Sequence, residues 1–523
     1  MKSRSRGSGF YRVNSFDLSH DRKQTMRMGV LTPCLCEEVV PGDTFRVHTD
    51  LGLRLAPLIA PMMHRVNVFV HYFFVPTRLL WKNWSDFLTG GMNGNLEPVY
   101  PTVSAPFDDY EIGNVWKVGS LADYLGLPAG YLNVGGTDKV SALPFRAYTM
   151  IYNEWYRDQN LIEPLPLSTD DGEDTVTNTE LQRRAWRKGY FESALPWPQR
   201  GEPVSVPLAG EAPVLNPSVT SADARVKLNA VMENTLNGSP SVRYQSKTGG
   251  GASAWYDAGT DERDTGLVAD LGSAPSVTIR DLRLAFQVQR YLEKNARAGV
   301  RYIEWLKSHF GVTSSDARLQ RPEYLGGGKS PIVVGEVLQT SSTDSTSPQA
   351  NPAGTAGSLQ RTLSFTRSFE EYGYVIGIVS VMPTPAYQQG LARKWTRFGR
   401  YDQYLPVLAH VGDQPILNKE LFVGQSTASP DGVFGYAPRF EELRKTYDTV
   451  HGQFRNSLDF WHLGRIFDGQ PSLGKDFIEC SPSKRVFAVT DPNEDEIWMH
   501  MLHNIKALRP VPKFGDPGLL DHN

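Results

Sequence analysis

Few residues of this chain have both the type and the spacing for chemistry, and most of the candidates fail on spacing. Gly328-Lys329-Ser330 has the ending of a phosphate-binding loop. That loop needs a glycine at position 323, where Glu323 stands, and Pro331 with strand-like text follows instead of a helix whose amides could hold phosphate. The triplet therefore reads as a glycine turn. His500 and His503 stand three apart, a metal-binding spacing on a helix, but their neighbours alternate as in a strand, which sends the two rings to opposite faces. Asp170, Asp171, Glu173 and Asp174 could do acid–base work as a pair, yet they sit among Ser, Thr and Gly and read as a solvated loop. Neither an HExxH pair nor a GxSxG elbow occurs. Cys34, Cys36 and Cys480 are too few and too scattered for a disulfide framework or a zinc set. No catalytic, cofactor or metal residue is expected, and the chain does not read as an enzyme.

The basic residues are more informative. Lys2, Arg4, Arg6 and Arg12 lie in an N-terminal stretch without a single acid. Arg183, Arg184, Arg187 and Lys188 flank Trp186, and guanidinium beside an aromatic ring can hold phosphate and stack on a base. The plainer reading of the second cluster is a solvated surface with one packed tryptophan. The formal net charge is −3, so any contact with nucleic acid is local, and other positive charge must help to balance phosphate. Basic residues open the chain but no apolar core follows them, so they do not read as an export signal. No apolar run reaches the ~20 residues of a membrane helix.

Around these residues the text is mainly strand-like. Residues 1–25 are polar and basic and read as an arm, with a folded body over 26–523. Val66, Val68, Val70, Tyr72 and Phe74 alternate along a strand ending at Pro76, and its other face, with Phe69 and Phe73, is apolar enough to be covered too. Tyr374–Met382, Arg485–Thr490 and Ile497–Leu508 read as further strands, the last with Ile497, Met499, Met501, His503 and Ile505 on one side. Residues 144–162 have helical spacing behind Pro144, and 277–310 form a longer helical stretch divided near Gly299 and stopped at Gly311. Residues 209–275 and 340–358 are rich in Gly, Ser and Thr and read as exposed loops. Strands at both ends, with helices and long loops between, fit a mainly β antiparallel sandwich carrying insertions. Its aromatic content also suits a secreted carbohydrate-binding or hydrolysing β-sandwich, which would need an export signal and a carboxylate pair that the text lacks.

A series of ordered strings goes further. Phe16-Asp17-Leu18-Ser19-His20, Val39-Val40-Pro41-Gly42-Asp43, Met63-His64-Arg65-Val66-Asn67-Val68 and Phe73-Phe74-Val75-Pro76 come first. Leu143-Pro144-Phe145-Arg146-Ala147-Tyr148 runs on to Tyr152-Asn153-Glu154 and Tyr156-Arg157-Asp158-Gln159-Asn160. Ala194-Leu195-Pro196-Trp197-Pro198, Arg321-Pro322-Glu323-Tyr324-Leu325-Gly326-Gly327, Tyr387-Gln388-Gln389-Gly390-Leu391, Asn418-Lys419-Glu420 and Pro517-Gly518-Leu519-Leu520-Asp521-His522 follow. In these strings and their order the chain resembles gokushovirus-type major capsid proteins of the microvirus family. The resemblance implies an eight-stranded antiparallel jelly roll with long loop and helical insertions, repeated in a T=1 icosahedral shell around circular single-stranded DNA. It implies assembly in a bacterial cytoplasm with a small basic DNA-binding protein and a scaffolding protein. It also implies that residues 209–275 form a threefold protrusion facing a bacterial surface receptor. Neither a cofactor nor membrane insertion is implied.

Overall fold

The computed structural model describes residues 13–108, 113–130, 139–202, 204, 214–215, 268–269, 279–338, 352–424, 429–489, 491 and 493–513. Ten strands carry the body: β1 (Asn14–Asp17), β2 (His20–Met26), β3 (Thr32–Val39), β4 (Thr44–Leu55), β5 (Val66–Pro76), β6 (Glu323–Pro331), β7 (Val333–Leu338), β8 (Pro352–Ser368), β9 (Gly373–Pro383) and β10 (Ile497–Arg509). One antiparallel sheet runs β1–β10–β4–β8–β7, with β2 also paired to β10, and a second runs β6–β5–β9–β3. The alternation read in the sequence explains how they meet. Val66, Val68, Val70, Tyr72 and Phe74 of β5 are 3% exposed or less and share one core with Val47 and Leu51 of β4, Met499 and Met501 of β10, and Val375 and Val379 of β9. The two sheets thus pack face to face through residues at period two.

Two expectations change here. Residues 14–26 are strands, not part of an arm: Asn14 to Asp17 and His20 to Met26 pair in register with β10. Their polar text is that of a sheet margin whose side chains alternate between half-covered and exposed, while β10 satisfies the backbone. Only residues 1–12 of the expected arm remain, and they lie outside the described residues. Nor are residues 485–489 of the expected strand Arg485–Thr490 a strand, and Thr490 lies outside the described residues. Val486 and Phe487 are buried, but Phe487 makes only an isolated bridge to Leu58, so these apolar residues plug the core from a turn.

The outer face of the second sheet is covered, as the apolar Phe73 suggested. Phe73 and Val75 of β5 and Ile376 and Ile378 of β9 pack on Leu143, Tyr148 and Ile151 of α1 (Leu143–Ile151). The helix is shorter than its periodicity predicted, because Tyr152–Tyr156 continues it as a π-helical turn. Arg146 anchors the layer. Its Nε lies 2.7 Å from Asp174, both side chains being 1% exposed, and it also donates to the carbonyls of Leu80 and Asp170 at 3.0 Å. Asp174 is therefore a buried cross-link, whereas Asp170, Asp171 and Glu173 stay exposed on the loop that their text suggested. Burial pushes the Asp174 carboxyl up, but bonds from the Thr177 hydroxyl and amide, Arg146 and the Val176 amide outweigh it and hold the pKa below its ordinary value. Asp171 accepts from the Trp81 indole, and Glu173 pairs with Lys139 at 2.8 Å.

The chain divides into two compact units, residues 1–198 with 296–523, and residues 199–295. Within the second, Val214–Leu215 pairs antiparallel with Val268–Ala269. Helix α2 (Ile279–Ala298) follows, and α3 (Tyr302–Phe310) comes after Gly299 at φ +99° and before Gly311 at φ +72°. Both glycines sit in the left-handed region that side chains disfavour, which is why the helical text breaks there.

Candidate functional site

The residues considered for catalysis and metal binding are engaged in structure. Gly328, Lys329 and Ser330 lie inside β6, opposite Val70, Phe69 and Val68, so the triplet is strand and not turn. His500 is exposed and its Nε2 lies 3.5 Å from Asp21, whereas His503 is fully buried. Among the described residues no group of three or more His, Cys, Asp or Glu could hold a metal ion. All three cysteines are free, and burial pushes each thiol up to about 12.

The structure separates the second basic cluster into two faces. Residues 182–186 run extended between two other segments, with Leu31 N–H on the Gln182 carbonyl at 2.9 Å and Trp186 N–H on the Ile478 carbonyl at 2.8 Å. In that conformation alternate side chains point inward. Trp186 is 4% exposed, packed with Met382 and Cys480, and the Arg465 guanidinium lies 5.2 Å from its ring. It offers no open face to a base. Arg184 lies 4.2 Å over the Phe69 ring and donates to Ser380 Oγ at 2.9 Å. Arg183 donates to the Cys480 carbonyl at 3.1 Å. Arg187 and Lys188 are exposed, and only Lys188 has a carboxylate partner among the described residues, Asp158 at 3.1 Å. Lys2, Arg4, Arg6 and Arg12 lie outside the described residues.

Arg187 and Lys188 open onto a cleft of about 260 Å³ that also holds Arg65 and Lys445. Those two come from the start of β5 and from beyond residue 440, so no local spacing could have joined them to the cluster. Arg65 pairs with Asp448 at 2.5 Å in an open position that solvent screens, and Lys445 pairs at 2.9 Å with Glu441, whose carboxylate is buried. A second cleft of about 410 Å³ shares Arg65 and Asp448 and adds His64, His451, Phe454 and Trp461. His64 bonds through Nε2 to the Thr384 carbonyl at 2.7 Å, and burial holds its pKa down to about 4. The two clefts adjoin at Arg65 and Asp448; the first sets its cations beside Glu192 and Asp448, and the second adds aromatic rings, so we refer to them together as the groove. Such a groove can track a polyanionic strand, with phosphates on the cations and bases on the rings. It contains no paired acid and base poised on a common substrate position.

A family described as capsid protein (F protein) matches residues 7–519. The capsid protein VP1 of Bdellovibrio phage phiMH2K is 38% identical over 517 residues, covering 96% of this chain and 95% of its own length. The capsid protein VP1 of Chlamydia phage 1 is 37% identical, covering 97% and 96%, and that of Spiroplasma virus 4 is 31% identical, covering 96% and 94%. A match that spans both sheets and the layers upon them leaves one conclusion: the chain belongs to the phage capsid protein (F protein) family, a structural component of the virion and not an enzyme.

Proposed function

We propose that copies of this chain close into a T=1 icosahedral shell around a circular single-stranded DNA genome. The observation that carries the reading is the similarity to three capsid proteins VP1 over at least 96% of the chain. The body itself is proposed to be an eight-stranded jelly roll. What supports this is the nested order of pairing, β2 with β10, β3 with β9, β4 with β8 and β5 with β6, as in one long hairpin rolled over on itself. On this reading β1 and β7 are additions at the margins. The groove bearing Arg65, Arg187, Lys188 and Lys445, together with Lys2, Arg4, Arg6 and Arg12, faces the genome. A net charge of −3 leaves most phosphate unbalanced, so a small basic DNA-binding protein shares the interior. A scaffolding protein guides assembly in the bacterial cytoplasm. Residues 209–275 make the threefold protrusion and meet a bacterial surface receptor.

The test is sedimentation and negative-stain microscopy of the protein made in bacteria, with and without the neighbouring viral genes. Uniform closed particles of T=1 size, holding DNA when made during infection, are expected. A stable monomer under both conditions would overturn the reading.

A further inference from the structure

One cavity lies away from the groove and gathers features that packing alone does not require. It measures about 260 Å³ and sits on the outer side of β5, where His71 and Phe73 meet Trp155, Tyr156, Tyr324 and Arg184. The rings are closely set: Phe73 to Trp155 at 5.5 Å, Trp155 to Tyr324 at 5.7 Å, and His71 stacked on Tyr156 at 5.9 Å.

Three local irregularities build it. The π-helical turn Tyr152–Tyr156 brings the consecutive residues Trp155 and Tyr156 to one cavity. A bulge in β6 between Tyr324 and Gly326 re-aims Tyr324. Gly326, Gly327 and Gly328 then pass beside β5 without side chains, and a Cβ on Gly327 would stand 3.0 Å from the His71 ring. Bulges and π-turns give up regular pairing, so their convergence marks a place where side-chain aim outweighs it.

The charge of the cavity points to its occupant. Arg184 has its guanidinium over Phe69 at 4.2 Å and over Tyr156 at 5.6 Å, and no carboxylate pairs with it among the described residues. A covered cation without a counter-charge is costly, and an anion arriving there recovers that cost. The neighbouring histidine does not compete for the anion, because burial and the nearby Arg184 hold His71 neutral, its pKa pushed down to about 4. The volume is below the ~300–1,000 Å³ of ordinary small-molecule pockets, so it admits one flat group at most.

We propose that this cavity binds one nucleotide of single-stranded DNA, its base among Trp155, Tyr156 and Tyr324 and its phosphate on Arg184. The proposal rests on the reading of the chain as a DNA-enclosing shell subunit, and it adds a second contact point distinct from the cationic groove. The probe is an oligodeoxythymidylate carrying 5-iododeoxyuridine, bound to the full-length protein, cross-linked by light and mapped by mass spectrometry. Cross-links to Trp155, Tyr156 or Tyr324 are expected. Tyr324 is 43% exposed, so Tyr324→Ala can be made without opening the core, and it should weaken binding about five- to hundredfold, the loss of one base–aromatic stack. Tyr324→Phe should restore it. Arg184→Gln should lower the salt dependence of binding by about one phosphate contact, which a merely structural role would not do. Cross-links confined to other residues, with Tyr324→Ala binding like the parent, would overturn the pocket while leaving the shell reading intact. So would a map of empty shells showing a neighbouring copy's side chain in the cavity. Particles made during infection that contain no DNA would instead overturn the underlying reading.

Discussion

At the centre of the sandwich, His503 ties the two sheets together with hydrogen bonds. The Tyr72 hydroxyl donates to Thr49 Oγ1 at 2.7 Å, Thr49 donates to His503 Nδ1 at 2.9 Å, and His503 Nε2–H donates to the Cys34 carbonyl at 2.9 Å. The chain of bonds thus joins β5, β4, β10 and β3, and it requires the neutral ring. Burial, with His20 and Arg22 nearby, holds the His503 pKa down to about 4. An unfolded histidine titrates near ~6.5, so its stabilising effect is complete above that pH and is lost as the pH falls towards 4. The loss from this residue is about 3 kcal/mol, at ~1.4 kcal/mol per pH unit. Urea unfolding at pH 7 and pH 4.5 checks it: His503→Gln should be less stable than the parent at pH 7, and the gap should narrow at pH 4.5. A gap of constant size would show that the ring titrates normally. The inward position of His503 was legible from alternation with Met501 and Ile505. Its partners were not, because Cys34 and Thr49 are distant in the chain. For the same reason the sequence showed Arg187 and Lys188 but not Arg65 and Lys445 beside them, and it could not show Trp186 folded inward.

Among the elements, those with strong period stood out in the sequence, and those at margins did not. Strands β5, β9 and β10 and helices α1 to α3 follow from apolar spacing, and Gly299 and Gly311 divide and stop the helical stretch as their text suggested. Strands β1 and β2 hid because a margin strand with an open face needs few apolar residues. Strand β6 hid because glycines carry no pattern, yet they are what lets β6 lie against β5. A Cβ on Gly327 would come within 2.2 Å of the Val70 carbonyl oxygen. Gly327→Ala should therefore push the two strands apart and destabilise the fold by about 1–3 kcal/mol, seen as a lower urea midpoint. An unchanged midpoint would mean that β6 is not paired as described.

Over the whole molecule, the body and the 199–295 unit differ in how much of them sequence pattern could specify. Alternation fixes which face of each strand is buried, and two-sheet packing follows from that. Pairing partners come from contacts between distant residues, which a single sequence does not display. The segment 209–275 has neither periodicity nor apolar density, and the short ladder of Val214–Leu215 with Val268–Ala269 brings its two ends together. Excising residues between those two strands should leave the unfolding midpoint of the body nearly unchanged, since loop length enters stability only logarithmically, at about 0.6 kcal/mol per doubling. Adsorption to host cells should fall, and adsorption equal to the parent's would remove the attachment role from this segment.

The strand made last of the ten is also an interior strand of its sheet. β10 lies between β4 on one side and β1 and β2 on the other, so the first strands to leave the ribosome have no partner until residues 497–509 have been made. Completion of this sheet on the β1 and β2 side waits on translation. A chain terminated before that point leaves β4 with a bare edge and β1 and β2 with nothing to pair to. The topology thus leaves this sheet incomplete in any polypeptide whose translation stops before β10.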